Sequence, residues 1–565
     1  MRLILREYLS LLKEAGEIDA ILPDLLLAMG VRPINRPGSG TRQYGVDVPA
    51  VGVDPTDSPR VRKLFLITAK QGDIGRSDWN SGNDAVRQSL DDILDSYLAQ
   101  SVAPGHAGLP VKVVLATGGD LKQTAQASWD GYTRRYQGTN AHGHRIEFEF
   151  WGGDVLADLL QRHLVDEYLF PSDYQMAMRR TLAFVGEPDA DLGAFQALVG
   201  KAVTEMPTGS SSSDKKARVK VFRALRLGVS AAYRWGLEEG NTRPALLLAE
   251  YTALRVWGAL ARHGLTHPLS NEVREARACL AAWRKASDAY LGAVAPACQI
   301  QDGLYGHSSA EAVEYPLRTF EVVGHLAVAG LDCLERAGYE TGAAAANLRA
   351  RARDLAELLA QTIEHNASTL HPPYDEHAIE VTLAGLLLTL TGRGPDAGVY
   401  VRRLANRVLA AKQLGQPGVP LFRASYDRLS DLALGLRQPE LPSSLLLPRL
   451  AELALVLGDD ALYDHVRAVV EAAFPTTHLQ VWYPDDDTDP SIYEGGGTDT
   501  GFTLTPVDLA PDAATARAAL LAAPQDARPS YSSDVREMGV LSLLASRRFR
   551  TPLRPSLWRD QIPTP

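Results

Sequence analysis

The sequence GVDVPAVGV at residues 45–53, followed by LFLITAKQG at residues 64–72, decides the fold of the N-terminal part of the chain. The first stretch alternates from Val46 to Val53 and predicts a strand with one buried face. The second contains the near-continuous apolar run Leu64 to Ala69, which is typical of a strand buried on both faces.

Three polar side chains are expected to meet where these two strands pair. Alternate residues of a strand share a face, so Thr68 and Lys70 lie on the same side of the sheet. Antiparallel pairing brings Asp47 to the same edge. A carboxylate there can hold Mg²⁺, which prefers oxygen ligands and keeps several waters. A lysine there can stabilise charge on a phosphate or position the attacking water.

Strand and helix patterns alternate on both sides of this pair up to about residue 165. Further strands are predicted at residues 31–36, 111–116 and 146–151, and helices at residues 3–15, 18–29, 84–99, 121–136 and 155–163. This order predicts an α/β/α sandwich built on a mixed sheet.

Helical periodicity dominates the rest of the chain, with roughly ten amphipathic segments between residues 217 and 474. No motif repeats at a fixed period, so a helical bundle or a degenerate α-solenoid is expected. The fold class is therefore α/β followed by a large all-α domain. The expected boundaries are 1–185 for the α/β domain, 186–216 for a linker, 217–474 for the helical domain and 475–565 for a mixed C-terminal segment packed on it.

The composition is that of an ordinary globular protein, with 45% hydrophobic and 22% charged residues among 565. Its formal net charge of -10 excludes a polycation that coats nucleic acid, so any binding must be local. Three cysteines indicate a reducing compartment, and no apolar run reaches the roughly 18 residues needed to span a bilayer. We therefore expect a cytoplasmic protein without a membrane partner.

Together, this element order and four short motifs resemble the PD-(D/E)XK nuclease superfamily, and within it the Mrr-like restriction endonuclease branch. The motifs are Gly45-Val46-Asp47, Lys70-Gln71-Gly72, Thr117-Gly118-Gly119 and Gly152-Gly153-Asp154. The resemblance covers about the first 165–185 residues. It implies a restriction-endonuclease-like fold and a metal-dependent endonuclease that uses Mg²⁺ or Mn²⁺ and cleaves DNA in preference to RNA.

Carried over residue by residue, the resemblance makes Asp47 the metal-binding aspartate and Lys70 the catalytic lysine. The family has Glu, Asp or Gln two positions before the lysine, where this chain has Thr68. A hydroxyl is a weaker metal ligand than a carboxylate, so this position puts the activity in doubt.

Other groups could replace the missing ligand. Gln71 could reach the metal through its side-chain carbonyl. A carboxylate from the early helices, Glu17 or Asp24, is a second source. Backbone carbonyls and water are the third.

Three arginines near the two strands are the predicted nucleic-acid contacts: Arg42, Arg62 and Arg76. They flank the Asp47 and Lys70 segments and are expected to line the rim of the cleft. The alternative is that they only pair with surface aspartates nearby.

Two functions from different classes follow. The first is an endonuclease whose helical domain senses or binds a partner, as in a bacterial anti-phage defence effector, acting alone or as a homodimer or higher oligomer. The second is a catalytically degenerate nuclease fold that serves as a nucleic-acid-binding or helical scaffold protein. A carboxylate or carboxamide within reach of Asp47 favours the enzyme. The sequence leaves the role of the acidic loop Asp485 to Asp489 open.

Overall fold

A mixed six-stranded sheet forms the centre of the N-terminal part of the protein in the computed structural model. The structure describes residues 5–6, 9–10, 12, 18–34, 44–54, 57, 60–81, 85–140, 143–163, 192–307, 313–415, 418–423, 425–437, 440–495, 500–522 and 530–564. The strands are β1 (Arg32–Pro33), β2 (Val48–Val53), β3 (Arg62–Lys70), β4 (Val111–Thr117), β5 (Gly138–Thr139) and β6 (Arg145–Trp151). They lie in the order β1-β2-β3-β4-β6-β5.

The central strands explain why the apolar runs are continuous. β2 pairs antiparallel with β3, with Val48 opposite Ile67. β3 then pairs in parallel with β4, and β4 in parallel with β6. Every residue of β4 is buried, as is every residue of β3 after Arg62, because both faces of a parallel pair are covered.

Helices cover the two faces of this sheet. They are α1 (Asp19–Ala28), α2 (Arg76–Asn80), α3 (Val86–Asp92), α4 (Gln123–Tyr136) and α5 (Gly153–His163). On one face, α1 and α5 pack against side chains such as Phe65 and Ile67. On the other face, α2, α3 and α4 pack against side chains such as Leu64 and Leu66. The expected α/β class with a mixed sheet is confirmed.

Some elements differ from their predicted forms. The helix predicted at 84–99 is α3 followed by a π-helical turn, Ile93–Tyr97, and the short helix Leu98–Gln100. Most of the helix predicted at 3–15 lies outside the described residues.

Glycines let three loops approach one another at the edge where β3, β4 and β6 end. A Cβ on Gly118 would lie 1.8 Å from the backbone oxygen of Leu9. A Cβ on Gly119 would lie 2.4 Å from the carbonyl carbon of Gly72, and one on Gly153 would lie 2.4 Å from the oxygen of Gly118. The backbones are therefore packed directly on each other, which holds this edge of the sheet in one arrangement.

The remainder of the chain is mostly helical. Its helices are α6 (Gly193–Thr204), α7 (Ser212–Glu238), α8 (Arg243–Arg262), α9 (Asn271–Cys298), α10 (Glu314–Tyr339), α11 (Gly342–His365), α12 (Ala378–Leu390), α13 (Gly394–Leu414), α14 (Tyr426–Ala433), α15 (Leu446–Val456), α16 (Asp460–Ala473), α17 (Ala513–Ala522), α18 (Val540–Phe549) and α19 (Ser556–Arg559). Between and after them lie the short strands β7 (Ser443–Ser444), β8 (His478–Leu479), β9 (Val481–Tyr483) and β10 (Phe502–Leu504), and the helical turn Thr488–Ser491. The expected large helical region is confirmed.

Successive helices of this region pack as hairpins. The hairpins are α8–α9, α10–α11, α12–α13 and α15–α16. Gly324 and Gly330 of α10 approach Glu380 and Leu387 of α12 in the same order, so these two helices run in the same direction. We call α8, α10, α12 and α15 the inner helices, because the C-terminal helices α18 and α19 pack on them.

Buried glutamates of the inner helices hold the C-terminal segment. Glu250 of α8 forms an ion pair with Arg547. Glu380 of α12 accepts from Arg550 Nη1 at 2.7 Å. Glu452 of α15 accepts from the indole N–H of Trp558 at 2.5 Å and from Arg559 Nη2 at 2.5 Å. A buried carboxylate needs such partners to offset the loss of its hydration.

The chain divides into two compact units, and the division falls inside helices. One unit contains residues 1–198 and 223–241, and the other contains residues 199–222 and 242–565. The predicted linker at 186–216 therefore includes helix α6 and the first residues of α7, whereas residues 186–191 lie outside the described part. In the described ranges, the structure contains no helix that combines the length and the apolarity needed to cross a bilayer.

The close approach at Gly118 has a measurable consequence for stability. We expect Gly118→Ala to lower the free energy of unfolding by about 1–3 kcal/mol, because the new methyl group must displace the Leu9 backbone. Gly131, inside α4, has open space around it. Gly131→Ala is the matched control and should stabilise by about 0.5–1 kcal/mol. Urea unfolding measures the free energy of unfolding of both variants. Equal changes would contradict the close packing of Gly118 against the Leu9 backbone.

The buried ion pairs of the C-terminal segment allow a second comparison. Glu452→Ala leaves Arg559 and the Trp558 indole without their acceptor, so we expect a loss of about 3 kcal/mol. Glu471→Ala removes only an exposed partner of Arg467 and should cost less than about 1 kcal/mol. Thermal unfolding of the two variants measures the difference. Similar midpoints would mean that Glu452 does not hold the segment.

Candidate active site

Asp47 lies directly before β2, next to the last pair of the β2–β3 ladder, Val48 opposite Ile67. Its N–H donates to the carbonyl of Ile67 at 2.9 Å, which holds the backbone of Asp47 beside the end of β3. Thr68 and Lys70 share a face of the sheet, because alternate residues of a strand lie on the same side. The predicted antiparallel pairing is therefore present, and the three side chains lie together at the end of β3.

The Asp47 carboxylate is held by its neighbours on β3. Its Oδ2 accepts from the backbone N–H of Ala69 at 2.7 Å. The Thr68 hydroxyl also hydrogen-bonds to this carboxylate, and Lys70 attracts it electrostatically. Only 1% of Thr68 and 9% of Lys70 are exposed. The carboxylate therefore has a defined position beside a largely buried cation.

Burial is the main influence on the ionisation of Asp47, and it raises the pKa of this carboxyl group above its ordinary value. The Ala69 N–H, the Lys70 charge and the Thr68 hydroxyl each lower the pKa, whereas the Asp19 carboxylate raises it. The net direction is upward. A negative charge at Asp47 is therefore disfavoured in this structure, and a cation placed there would stabilise it.

Asp19 is the site residue that the sequence did not identify. It is the first residue of α1, it is half-buried, and its charge acts on Asp47. Its Oδ1 is buried and has no hydrogen-bond partner within the described ranges. The sequence indicated that the early helices could supply a carboxylate, but periodicity alone did not tell which one faces the sheet edge.

The two carboxylates considered from the sequence are placed differently. Asp24 forms an ion pair with Arg226 of α7 and lies 4.0 Å from Arg223. At roughly 100° per residue, Asp24 points about 140° away from Asp19 around the helix axis. The structure therefore joins Asp24 to α7 and brings Asp19 towards Asp47. Glu17 lies outside the described residues.

The remaining predicted residues are distributed along β3 and the loop that follows it. Gln71 is exposed, directly after Lys70. Arg76 is exposed at the start of α2, which follows the end of β3 by six residues. Arg62 begins β3, so it lies about 26 Å from Lys70 at roughly 3.3 Å per residue and does not reach the same cleft. Arg42 lies outside the described residues.

The loop after Lys70 is tied to the loop after β4. Ile74 and Leu121 form a parallel bridge, and Thr117 Oγ1 donates to the carbonyl of Gly72 at 2.5 Å. Gly72 adopts a φ of 63°, which glycine reaches without strain. These contacts therefore fix the direction in which the chain leaves β3 after Lys70.

The donor set at this edge suits a hydrated divalent cation. Asp47 and Asp19 carry like charges that oppose each other, and one Asp19 oxygen has no hydrogen-bond donor in the described structure. Mg²⁺ commonly binds through one or two carboxylates and keeps several waters. Among the residues that the structure describes, no group of three or more His, Cys, Asp or Glu side chains is arranged to hold a metal. A metal here would thus be bound by few protein ligands.

Comparisons with known proteins do not assign the chain to a family. No family model, no curated protein and no solved structure matches it.

The raised pKa of Asp47 leads to a pH-dependent test. Its folded-state pKa lies above the ordinary value of 3.8, so ionisation of Asp47 opposes folding, and this cost disappears as the pH falls through the folded-state pKa. With chelator present, we expect Asp47→Asn to be more stable than the wild type at pH 8. The gain should vanish below about pH 4. Asp130→Asn, at an exposed position, is the control. A loss of stability of Asp47→Asn at pH 8 would contradict the raised pKa of Asp47.

Proposed function

We propose that the N-terminal unit is a metal-dependent endonuclease of the PD-(D/E)XK type that hydrolyses phosphodiester bonds of nucleic acid. The observation that carries this proposal is the pairing of β2 with β3, which brings the Asp47 carboxylate next to Thr68 and Lys70. A carboxylate fixed by two hydrogen bonds, next to a desolvated lysine at a sheet edge, supplies the groups that this chemistry requires.

Each side chain has a separate part in the proposed reaction. Lys70 places a positive charge next to the scissile phosphate and stabilises the negative charge that develops on its oxygens. Its low exposure strengthens this interaction, since less water screens the charge. Thr68 and the Ala69 N–H orient the Asp47 carboxylate, so Thr68 acts as a positioning residue in place of the usual acidic ligand.

Asp47 and Asp19 would hold the divalent cation, with water completing its coordination. Bound there, Mg²⁺ or Mn²⁺ supplies positive charge to the phosphate and lowers the pKa of a water molecule. The Asp19 carboxylate provides the second acidic group that Thr68 lacks. It is favoured over Gln71 because its charge already acts on Asp47.

Binding of the substrate must depend on a few local cations, because the chain as a whole carries a formal charge of -10. Arg76 follows Lys70 by six residues and is exposed, so it is available to contact a phosphate. Arg62 lies at the other end of β3 and is not part of this surface. Few phosphate contacts imply weak binding with a shallow salt dependence.

A non-catalytic nucleic-acid-binding fold is the second candidate. It is supported by Thr68, whose hydroxyl is engaged by Asp47 rather than offered to a metal. In that case Asp47 and Lys70 form only a structural ion pair. The two candidates differ in whether a divalent cation binds to the protein and leads to cleavage of the nucleic acid.

Cleavage of plasmid DNA and of single-stranded RNA, each with Mg²⁺, Mn²⁺ or EDTA, tests the proposal. We expect metal-dependent cutting of plasmid that EDTA abolishes. Asp47→Ala and Lys70→Ala should each reduce the rate by at least about a hundredfold, since each removes charge stabilisation of the transition state. Asp19→Asn should raise the metal concentration needed for half-maximal rate.

Asp130→Asn is the matched control, because it removes an exposed carboxylate of α4 without touching the site. Its rate should equal that of the wild type. Equal cleavage rates for the wild type and for folded Asp47→Ala protein would show that Asp47 is not part of the active site. Binding without cleavage under every metal condition would favour the second candidate.

A further inference from the structure

Helix α7 is shared between the two compact units of the chain. Its residues up to Phe222 belong to the helical unit, and its residues from Arg223 onward belong to the unit that contains the candidate active site. In this second part, Leu227, Ala231 and Trp235 pack in the core cluster that also contains side chains of α1. The active-site unit therefore includes part of a helix that lies well beyond residue 185, the expected end of the α/β domain.

Helix α1 carries Asp19 at its first position, and the two ends of this helix are held differently. At its C-terminal end, the N–H of Val31 donates to the Leu26 carbonyl at 2.8 Å, and β1, which follows directly, pairs with β2. The first turn has weaker backbone support. Pro23 lies inside the helix and has no N–H, so it cannot donate to the Asp19 carbonyl as the residue at this position of an α-helix normally does. The position of Asp19 therefore depends more on side-chain packing against neighbouring helices.

An ion pair with α7 holds α1 directly after this proline. Arg226 donates from Nη2 to Oδ2 of Asp24, and the Nη2 atom of Arg223 lies 4.0 Å from Oδ1 of the same carboxylate. The side chains of Arg226 and Asp24 are only 27% and 25% exposed, so water and salt screen this pair incompletely. At roughly 100° per residue, Asp24 points about 140° away from Asp19 around the helix axis. Fixing Asp24 on α7 therefore fixes the direction in which Asp19 points.

We propose that Arg226, supported by Arg223, is a positioning residue of the candidate metal site. It holds Asp24, and through it α1, in the rotation that turns the Asp19 carboxylate towards Asp47. Because these two carboxylates are the proposed metal ligands, this role rests on the proposed function. Residues 1–198 then do not complete the site by themselves, and the second part of α7 is required.

The charge of Arg226 distinguishes positioning from the other effects that a substitution can have. A positive charge repels a divalent cation, so removing Arg226 would strengthen metal binding if the side chain acted only through its electric field. Loss of a positioning contact acts in the opposite direction, since Asp19 would no longer be held beside Asp47. A role in folding alone would lower the stability and leave the metal affinity of the folded protein unchanged.

Mn²⁺ binding to the full-length protein tests the proposal, measured by EPR as the loss of the free-ion signal. We expect Arg226→Met to raise the dissociation constant by at least about tenfold, since partners that orient metal ligands are typically worth this much. Arg226→Lys should recover part of the affinity, because a lysine can still pair with Asp24. Arg234→Met is the matched control, because it removes the same charge from the same helix, where Arg234 pairs with Glu238. Its dissociation constant should equal that of the wild type.

Asp24→Asn breaks the same contact from the other side and carries the same expectation, so it serves if Arg226→Met does not fold. The two substitutions should not add. The double variant should bind Mn²⁺ about as weakly as each single variant, because both remove one interaction.

Hydrogen exchange provides an independent readout. If α7 raises the affinity for the metal, the metal must stabilise the packing of α7 by the same free energy, because coupling between two equilibria is reciprocal. We expect saturating Mn²⁺ to slow amide exchange in residues 223–238 of the wild type. The same concentration should leave exchange there unchanged in Asp47→Asn, which lacks a metal ligand.

The outcomes separate the role of Arg226 from the proposed function. If the wild type binds Mn²⁺ and Arg226→Met binds it equally or more tightly, the role of Arg226 is overturned and the metal site stands. If the wild type binds no Mn²⁺, the metal site is overturned and the role of Arg226 with it. Exchange in residues 223–238 that does not respond to bound metal would also overturn the role of Arg226.

Discussion

The antiparallel register between β2 and β3 is the constraint on which the candidate active site depends. It brings Asp47 beside the end of β3 and lets the Ala69 N–H reach the Asp47 carboxylate. A slip of one residue would turn Thr68 and Lys70 to the other face, because side chains alternate along a strand. The parallel pairing of β3 with β4 and the glycine contacts at the loop ends fix the position of β3 itself.

This arrangement places a carboxylate where burial disfavours its negative charge. Burial and Asp19 raise the pKa of Asp47, and two hydrogen bonds and Lys70 only partly offset them. A site that binds a cation is expected to show this imbalance in its free state, because the ion supplies the missing positive charge.

The sequence predicted the sheet well because continuous apolar runs are a strong signal for buried strands. The runs at residues 64–69 and 111–116 became β3 and β4. The meeting of Asp47 with Lys70 was predicted from strand alternation together with antiparallel pairing of the two strands. Asp19 could not be singled out in the same way, since the side of α1 that faces the sheet edge depends on packing with α5 and α7.

Two other differences from the expected arrangement have similar causes. Arg62 was expected at the cleft because it is close in sequence, although β3 carries it to the opposite end of the strand from Lys70. The linker was expected at 186–216, and helix α6 buries Phe195 and Leu198 in that range. The glutamates of the inner helices find their partners about 100 to 300 residues later in the chain, a separation that no local pattern reveals.

Metal binding at Asp47 is the central claim, and anomalous diffraction from crystals soaked in MnCl₂ tests it most directly. We expect one Mn²⁺ peak within coordination distance of Asp47 and Asp19, and no peak at this position in Asp47→Asn crystals. Lys70 should lie beside the peak without being a ligand. A fully ordered site without manganese, or a peak that persists in Asp47→Asn, would contradict metal binding at Asp47.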